Sequence, residues 1–419
     1  MGLCLQDSGF NKVHKGEGDI KMAVLCVKDL TVEQKRVLLR VDFNVPIEDG
    51  KIADDRRIRA ALPTIQHIVD RGGRVVAVSH LGRPKGKVVP ELSLKPVAKR
   101  LGELLEMDVQ FCPEVVGSEA EKMSQGLKDG EVMLLENVRF VSGEEKNDME
   151  FSSKLAELGD VYVNDAFATA HRAHSSTVGV ARLFSERGCG FLMEKELKYL
   201  SMASHHPEKP YVAVIGGAKV SSKISLLRHL MDKVDKFLIG GGMMFTFYKA
   251  QGLSVGASIV EEDAVDTAMQ ILRECGRKDV HVLLPLDVVI ADSFSNDARK
   301  KVVAKELIPE GWMGLDIGPL SVRVFRDALK GAKTILWNGP MGVFEFDNFS
   351  DGTRGVASAI ADVTAEGAIS IVGGGDTASA VAKVGLEDKM SYVSTGGGAS
   401  LAFLAGQPLP AIEALEVSK

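Results

Sequence analysis

The chain has 419 residues, 45% of them apolar, and its 57 acidic against 51 basic residues leave a formal net charge of -6. That length exceeds one ordinary core and calls for two domains, while the acidic balance argues against a general binder of nucleic acid or of a membrane surface. No apolar run reaches a membrane span, and five scattered cysteines without a C-x-x-C pair indicate neither a zinc site nor a disulfide framework, so a reducing, cytoplasmic home is expected.

Met1 to Lys21 is polar and glycine-bearing and reads as a disordered extension ahead of the first strand. Its "MGLC" start hints at lipidation of Gly2 and Cys4, but Gln6 stands where the myristoylation pattern wants Ser or Thr. From Val37 apolar strand-like runs alternate with amphipathic stretches, the pattern of a mostly parallel sheet covered by helices on both faces. Four strands are predicted in the first half, "RVLLRVDFNVP", "RVVAVSHLGRP", "EVMLLENVRF" and "DVYVNDAFATAHRAH". Asp42 and Asn44 follow the first run, His80 and Arg83 the second, Arg139 the third, and His171, Arg172 and His174 the fourth. Ligands of open α/β sheets bind beyond the carboxyl ends of the strands, so these side chains converge on one crevice suited to a small, highly anionic ligand. Arg57 lies at the head of the first helix, near the same end, with Arg56 and Arg59 as solvated neighbours.

Phe191 to Ser204 carries Leu192, Met193, Leu197 and Leu200 on one helical stripe and breaks at Pro207; it is predicted as an interdomain helix, with Glu194 paired to Lys198 four residues on. The stretch Tyr211 to Leu227 then reads as strand, tight glycine turn and helix, which sets Lys219 and Lys223 on one helical face beside free backbone amides. Further glycine turns follow at Gly240 to Gly242, Trp337 to Gly342, Gly373 to Gly375 and Gly396 to Gly398. Five such turns at one sheet edge imply backbone lying close to something bulky and phosphorylated. No G-K-[ST] occurs, which excludes the usual P-loop. "GGGDTA" fits a dinucleotide turn, but no acid closes the next strand to grip a ribose, so a nicotinamide cofactor is disfavoured. Asp376 inside that turn would repel phosphates without an intervening cation, for which Mg²⁺ is the natural choice.

"RVDFNVP", "SHLGRPKG", "LLENVRF", "DAFATAHRAHSS", "GGAKVSSKI", "WNGPMGVFE", "GGGDTA" and "STGGGASL" occur in this order in the phosphoglycerate kinases, and the chain resembles that family from about Val27 to its C-terminus. The resemblance implies two Rossmann-like, doubly wound parallel-sheet domains of class α/β joined by a hinge helix: residues 22–190 binding 3-phosphoglycerate, 191–207 the hinge, 208–406 binding nucleotide, and 407–419 a tail returning to the first domain. It implies reversible phosphoryl transfer between 1,3-bisphosphoglycerate and MgADP, giving 3-phosphoglycerate and MgATP. Asp42, Asn44, Arg57, His80, Arg83, Arg139 and Arg172 would then contact 3-phosphoglycerate. Lys219 and Arg57 would stabilise the phosphoryl group in flight, and Gly374 and Gly397 would offer it backbone amides. Gly217, Ala218, Lys223, Gly241, Gly314, Asn338, Pro340, Glu345, Gly374, Gly375, Asp376 and Thr377 would line the nucleotide site, with Asp376 meeting the metal. Ser222 stands where similar proteins carry an acid, and Met244 and Tyr248 replace smaller residues and are expected to reshape the adenine pocket wall. The acceptor in the reverse direction is a carboxylate with a pKa of roughly 3.5, so no catalytic base is expected. Because no apolar helix reads as exposed, a monomer is expected.

Overall fold

The structure, a computed structural model, describes residues 24–48 and 50–416. The extension Met1 to Lys21, with Gly2, Cys4 and Gln6, lies outside the described residues, as does the end of the tail.

The first half contributes β1 (Arg36–Arg40), a small antiparallel hairpin of β2 (Ile47–Glu48) and β3 (Lys51–Ile52), then β4 (Arg74–Val78), β5 (Val109–Cys112), β6 (Val132–Leu135), β7 (Val161–Asn164) and β8 (Arg187–Cys189). Hairpin aside, these form one sheet in the order β5-β6-β4-β1-β7-β8, with every neighbouring pair parallel. The four strands legible as apolar runs sit inside it and are buried at nearly every position, as a sheet covered on both faces requires. β5 and β8, its edges, escape the sequence reading because they are short and only partly apolar.

The second half contributes β9 (Tyr211–Ile215), β10 (Lys236–Ile239), β11 (His281–Leu283), β12 (Asp287–Ala291), β13 (Lys300–Ala304), β14 (Met313–Ile317), β15 (Thr334–Asn338), β16 (Ile369–Gly373) and β17 (Tyr392–Val393). Six of them form a second parallel sheet in the order β11-β10-β9-β15-β16-β17. The chain winds outward from β9 to one edge, returns beside β9 with β15, and winds to the other edge, the Rossmann-like arrangement in which ligands bind at the reversal. The remaining three make a separate antiparallel sheet, β13-β12-β14, that the alternation of strand and helix did not suggest.

Helix Phe191–Ser204 joins β8 to β9 and packs on helix Arg56–Asp70 of the first half and on β15, β16 and helix Gly398–Leu404 of the second. Its start is fixed by the buried Asp165, which accepts from Thr64 Oγ1 (2.6 Å) and Met193 N (3.0 Å), while Thr64 Oγ1 accepts from Phe191 N (3.0 Å). Its middle is fixed by buried Glu196, which accepts from Ser394 Oγ (2.7 Å) and Thr395 N (2.8 Å). Glu194 pairs with Lys28 at 2.7 Å, a partner from outside the helix that the i,i+4 reading with Lys198 did not foresee. One continuous apolar cluster includes residues of both halves. The last described residues run back onto the first half, with Ala411 N donating to Ala170 O (3.2 Å) and Arg187 Nη2 to Glu416 O (2.7 Å).

Candidate active site

Because the first sheet is parallel, the residues that follow β1, β4, β6 and β7 emerge at one edge. Asp42, nearly buried, ion-pairs with Arg57 from the first turn of helix Arg56–Asp70. Asn44 Oδ1 accepts from Gly82 N at 2.9 Å and so ties the loop after β1 to the loop after β4. Arg139 is 3% exposed, donates from Nη1 to Gly82 O (2.8 Å), and leaves Nε and Nη2 buried without a hydrogen-bond partner, Glu145 lying 3.5 Å away in poor geometry. His80 is buried, and burial together with Arg40, Arg139 and Arg57 holds it well below the ordinary histidine range. His174 is pushed down to about 4, by burial first and then by Arg139, Arg40 and Arg172. Arg172 Nε donates to His171 Nε2 at 3.2 Å, and Arg83 is exposed.

Arg40 was not foreseen. It is the last residue of β1 and 1% exposed, with Nε on Ser176 Oγ (2.9 Å) and Nη2 at 3.2 Å from His80 Nδ1. Ser176 links it to a buried counter-charge, Glu144, which accepts from Ser176 Oγ (2.6 Å) and Ser176 N (2.9 Å). Burial raises the Glu144 carboxyl and Arg40 opposes that rise. A charged residue closing an otherwise apolar strand was the available signal, masked by the run of informative residues after it. Arg56, read as solvated, is exposed, and it also ion-pairs with Asp54 and reaches Glu387 of the second half at 3.8 Å.

In the second sheet the glycine turns follow β9, β10, β15, β16 and β17, all at one edge. They divide into two kinds. Gly216, Gly241 and Gly339 are pressed backbone to backbone: a Cβ on Gly216 would lie 2.2 Å from Pro340 O, and one on Gly241 would lie 2.5 Å from Gly217 N. Gly217 N donates to Pro340 O (3.1 Å) and Gly241 N to Met341 O (3.0 Å), so these glycines let the turns lock together. Gly375 and Gly397 have no atom within 4 Å of a Cβ position, and Gly217 and Gly374 have φ values of +97° and +92°. Of that second set, Gly374, Gly375 and Gly397 leave amides open for an anion, while the Gly217 amide is spent on Pro340 O. The expectation that all five turns answer to a ligand is thus corrected: part of the glycine content serves packing.

Lys219 and Lys223 do not share a helical face. Helical structure begins only at Ser221, as a short 3-10 turn Ser221–Lys223 leading into helix Ile224–Leu230, and Lys219 stands in the turn before it. The cause is tertiary: Glu261 accepts from Ser221 N (3.0 Å) and Ser221 Oγ (2.6 Å), fixing where the helix starts. Ser222 Oγ donates to Lys219 O at 2.9 Å. Lys219 is exposed, and its ammonium makes no hydrogen bond or ion pair among the described residues. Lys223 is half-buried, donates to Asn338 Oδ1, and burial lowers its pKa against the opposing charge of Asp376. Asn338 Nδ2 donates to Gly373 O (2.8 Å) and Gly339 N to the buried Thr377 Oγ1 (2.6 Å), which stitches the turn after β15 to the turn after β16.

Gly314 is buried in β14, where a Cβ would meet Phe245 Cζ at 2.1 Å, and its N–H donates to Ser258 Oγ. Met244 and Tyr248 are also fully buried, with the Tyr248 hydroxyl donating to Pro285 O (2.7 Å); they belong to the core and not to a pocket wall. Ala218 and Glu345 are exposed. Asp376 is exposed at the start of helix Gly375–Lys383, beside the open Gly375. Among the described residues no cluster of three or more His, Cys, Asp or Glu side chains could hold a metal by itself. A lone carboxylate next to open amides fits a Mg²⁺ ion brought in on nucleotide phosphates.

The two edges come close to each other at the turn after β17. A Cβ on Gly396 would meet Phe167 at 2.5 Å, and one on Gly398 would lie 3.5 Å from His171 Nε2, so the turn after β17 rests on the segment that carries Arg172.

Residues 27–407 match the family model described as phosphoglycerate kinase. The chain is 55% identical over 399 residues to "Phosphoglycerate kinase" of Prochlorococcus marinus, covering 94% of this chain and 99% of that one. It is 56% identical over 397 residues to "Phosphoglycerate kinase 3, cytosolic" of Arabidopsis thaliana, covering 94% and 99%. Among solved structures, phosphoglycerate kinase from Coxiella burnetii superposes with a TM-score of 0.86 at 45% identity, covering 94% of this chain and 98% of that one.

Proposed function

We propose, from the premise that the chain belongs to the phosphoglycerate kinase family, that its two sheets divide one reaction between them, the first holding the small acid and the second the nucleotide. The reaction is reversible phosphoryl transfer from 1,3-bisphosphoglycerate to ADP, giving 3-phosphoglycerate and ATP in glycolysis and its reverse. In our reading residues 22–190 form the acid-binding domain, 191–207 the hinge, 208–406 the nucleotide domain, and 407–419 a tail on the first domain. The carrying observation is the nearness of Gly398 to His171, whose Nε2 lies 3.5 Å from where a Gly398 Cβ would stand, which supports a site shared by the cationic cluster and the glycine edge.

Asp42, Asn44, His80, Arg83, Arg139 and Arg172 hold 3-phosphoglycerate. The unpaired nitrogens of Arg139 and the buried, neutral imidazole of His80 support this, because they offer donors to an anion without demanding a second counter-charge. Arg57 from one side and Lys219 from the other supply positive charge to the equatorial oxygens of the phosphoryl group, and the amides of Gly374 and Gly397 complete the donor set. The acceptor carboxylate arrives deprotonated, so alignment and charge stabilisation suffice. Lys223, held by Asn338, lies along the nucleotide phosphates with Gly217, Ala218, Gly375 and Thr377, while Gly241, Gly314, Pro340 and Glu345 belong to the nucleoside end. Mg²⁺, held by Asp376 and the phosphates, would neutralise charge on the nucleotide. Closure about helix Phe191–Ser204 brings the halves together and excludes water from the acyl phosphate.

We place the protein in the cytoplasm as a monomer. Four cysteines among the described residues are free and buried, and no helix there is long and apolar enough to cross a membrane. A coupled assay with 3-phosphoglycerate and MgATP tests the assignment. Lys219→Ala should lower turnover by about 100- to 1,000-fold with little change in the KM for 3-phosphoglycerate, and unchanged turnover would remove Lys219 from this role.

A further inference from the structure

We propose that Lys383 is a positioning residue for the nucleotide, its ammonium holding the Phe344–Asp347 turn so that Glu345 meets the nucleoside; the proposal rests on the reading of Glu345 given above. Lys383 is the last residue of helix Gly375–Lys383, and its Nζ donates to Phe344 O (2.9 Å) and Glu345 O (3.2 Å) and pairs with Asp347 Oδ1 (2.7 Å). An ammonium has three donors, and all three are spent on this one turn.

Among the described residues nothing else donates to either carbonyl. An open cavity of about 500 Å³, bordered by Phe344, Asp347, Arg354, Ala380 and Lys383, adjoins the turn, while Phe346 within the turn packs on Phe294 and Phe349. The Asp347 carboxylate is 80% exposed, where an ion pair contributes little, and the two carbonyl bonds carry most of the effect.

The geometry also explains why this lysine matters to one substrate and not the other. The helix that ends at Lys383 begins at Gly375, Asp376 and Thr377, the residues assigned to the phosphates. A single element of nine residues therefore sets the distance between the phosphate end and the nucleoside end of the nucleotide site. Nothing in that chain of contacts reaches the arginine cluster.

The test is a double-mutant cycle on the full chain with Lys383→Met, Glu345→Ala and the combination, plus Lys383→Arg, assayed by steady-state kinetics with varied MgATP and varied 3-phosphoglycerate. Lys383→Met should raise the KM for MgATP about tenfold, the worth of one lost charged hydrogen bond, and leave kcat and the KM for 3-phosphoglycerate within about twofold. Lys383→Arg should recover part of the loss, and the double variant should be no worse than Glu345→Ala alone. An unchanged KM in Lys383→Met, with a raised one in Glu345→Ala, overturns the proposal and spares the nucleoside reading of Glu345. Unchanged values in both variants overturn both. Additive effects, or a parallel fall in kcat with a lowered melting temperature in both Lys383 variants, show that Lys383 acts through general stability and not through Glu345.

Discussion

A guanidinium taken out of water with two nitrogens unpaired destabilises the empty protein, and burial accordingly lowers the pKa of Arg139. Such a group is relieved by an arriving anion, which makes Arg139 a binding residue in a way that exposed Arg83 need not be. Arg139→Met should therefore raise the KM for 3-phosphoglycerate while leaving the unliganded protein as stable as before or more so; calorimetric melting without substrate separates the two effects, and marked destabilisation would argue for a structural guanidinium. His174 gives the pH dependence. Its folded pKa of about 4 lies below the ordinary 6.5, so between those values the unfolded chain binds the extra proton. Its contribution to stability is complete above pH 6.5 and is lost as pH falls toward 4. His174→Gln should flatten, without abolishing, the decline of melting temperature over that range, since buried His80 is shifted in the same direction. An unaltered slope would mean that His174 is not buried as a neutral group.

At the scale of elements, the nucleotide edge depends on turns that hold one another. Thr377 Oγ1 accepts the buried Gly339 N–H at 2.6 Å, so Thr377→Val should destabilise by about 1–3 kcal/mol through an orphaned donor, and Thr377→Ser should not. Urea melts of the three proteins decide this, and equal midpoints would show that the bond is dispensable. The glycines illustrate what element-level reading can and cannot extract. Their clustering after strands was plain in the sequence, but only the packed turns separate Gly216, Gly241 and Gly339, where a side chain would strike backbone, from Gly375 and Gly397, where one would meet no atom within 4 Å. The start of the helix after β9 was misjudged for a similar reason. Local spacing favoured a helix from Ala218, whereas Glu261, 40 residues away along the chain, captures Ser221 and fixes the start there.

At the scale of the molecule, helix Phe191–Ser204 is gripped on one side by Asp165 and on the other by Glu196, two buried carboxyls raised by desolvation, the first to about 6. A rod anchored at its start and at its middle, and flanked by two separate sheets, is suited to hinge motion. Small-angle scattering should record a smaller radius of gyration with 3-phosphoglycerate and MgADP together than with either alone. An equal radius in all states would remove closure from the mechanism.

The amino-acid sequence by itself determined the two alternating α/β halves, the cationic residues after β1, β4, β6 and β7, and the glycine-lined edge of the second sheet, because periodicity and strand-end chemistry are local properties. Only the tertiary structure decided that Arg40 and Glu144 are buried partners of that cationic cluster, that Met244, Tyr248 and Gly314 are packed inside, and that Lys383 reaches the turn at Glu345. Those facts depend on which distant segments meet. A side chain's burial and its hydrogen-bond partner belong to the contact, not to the residue.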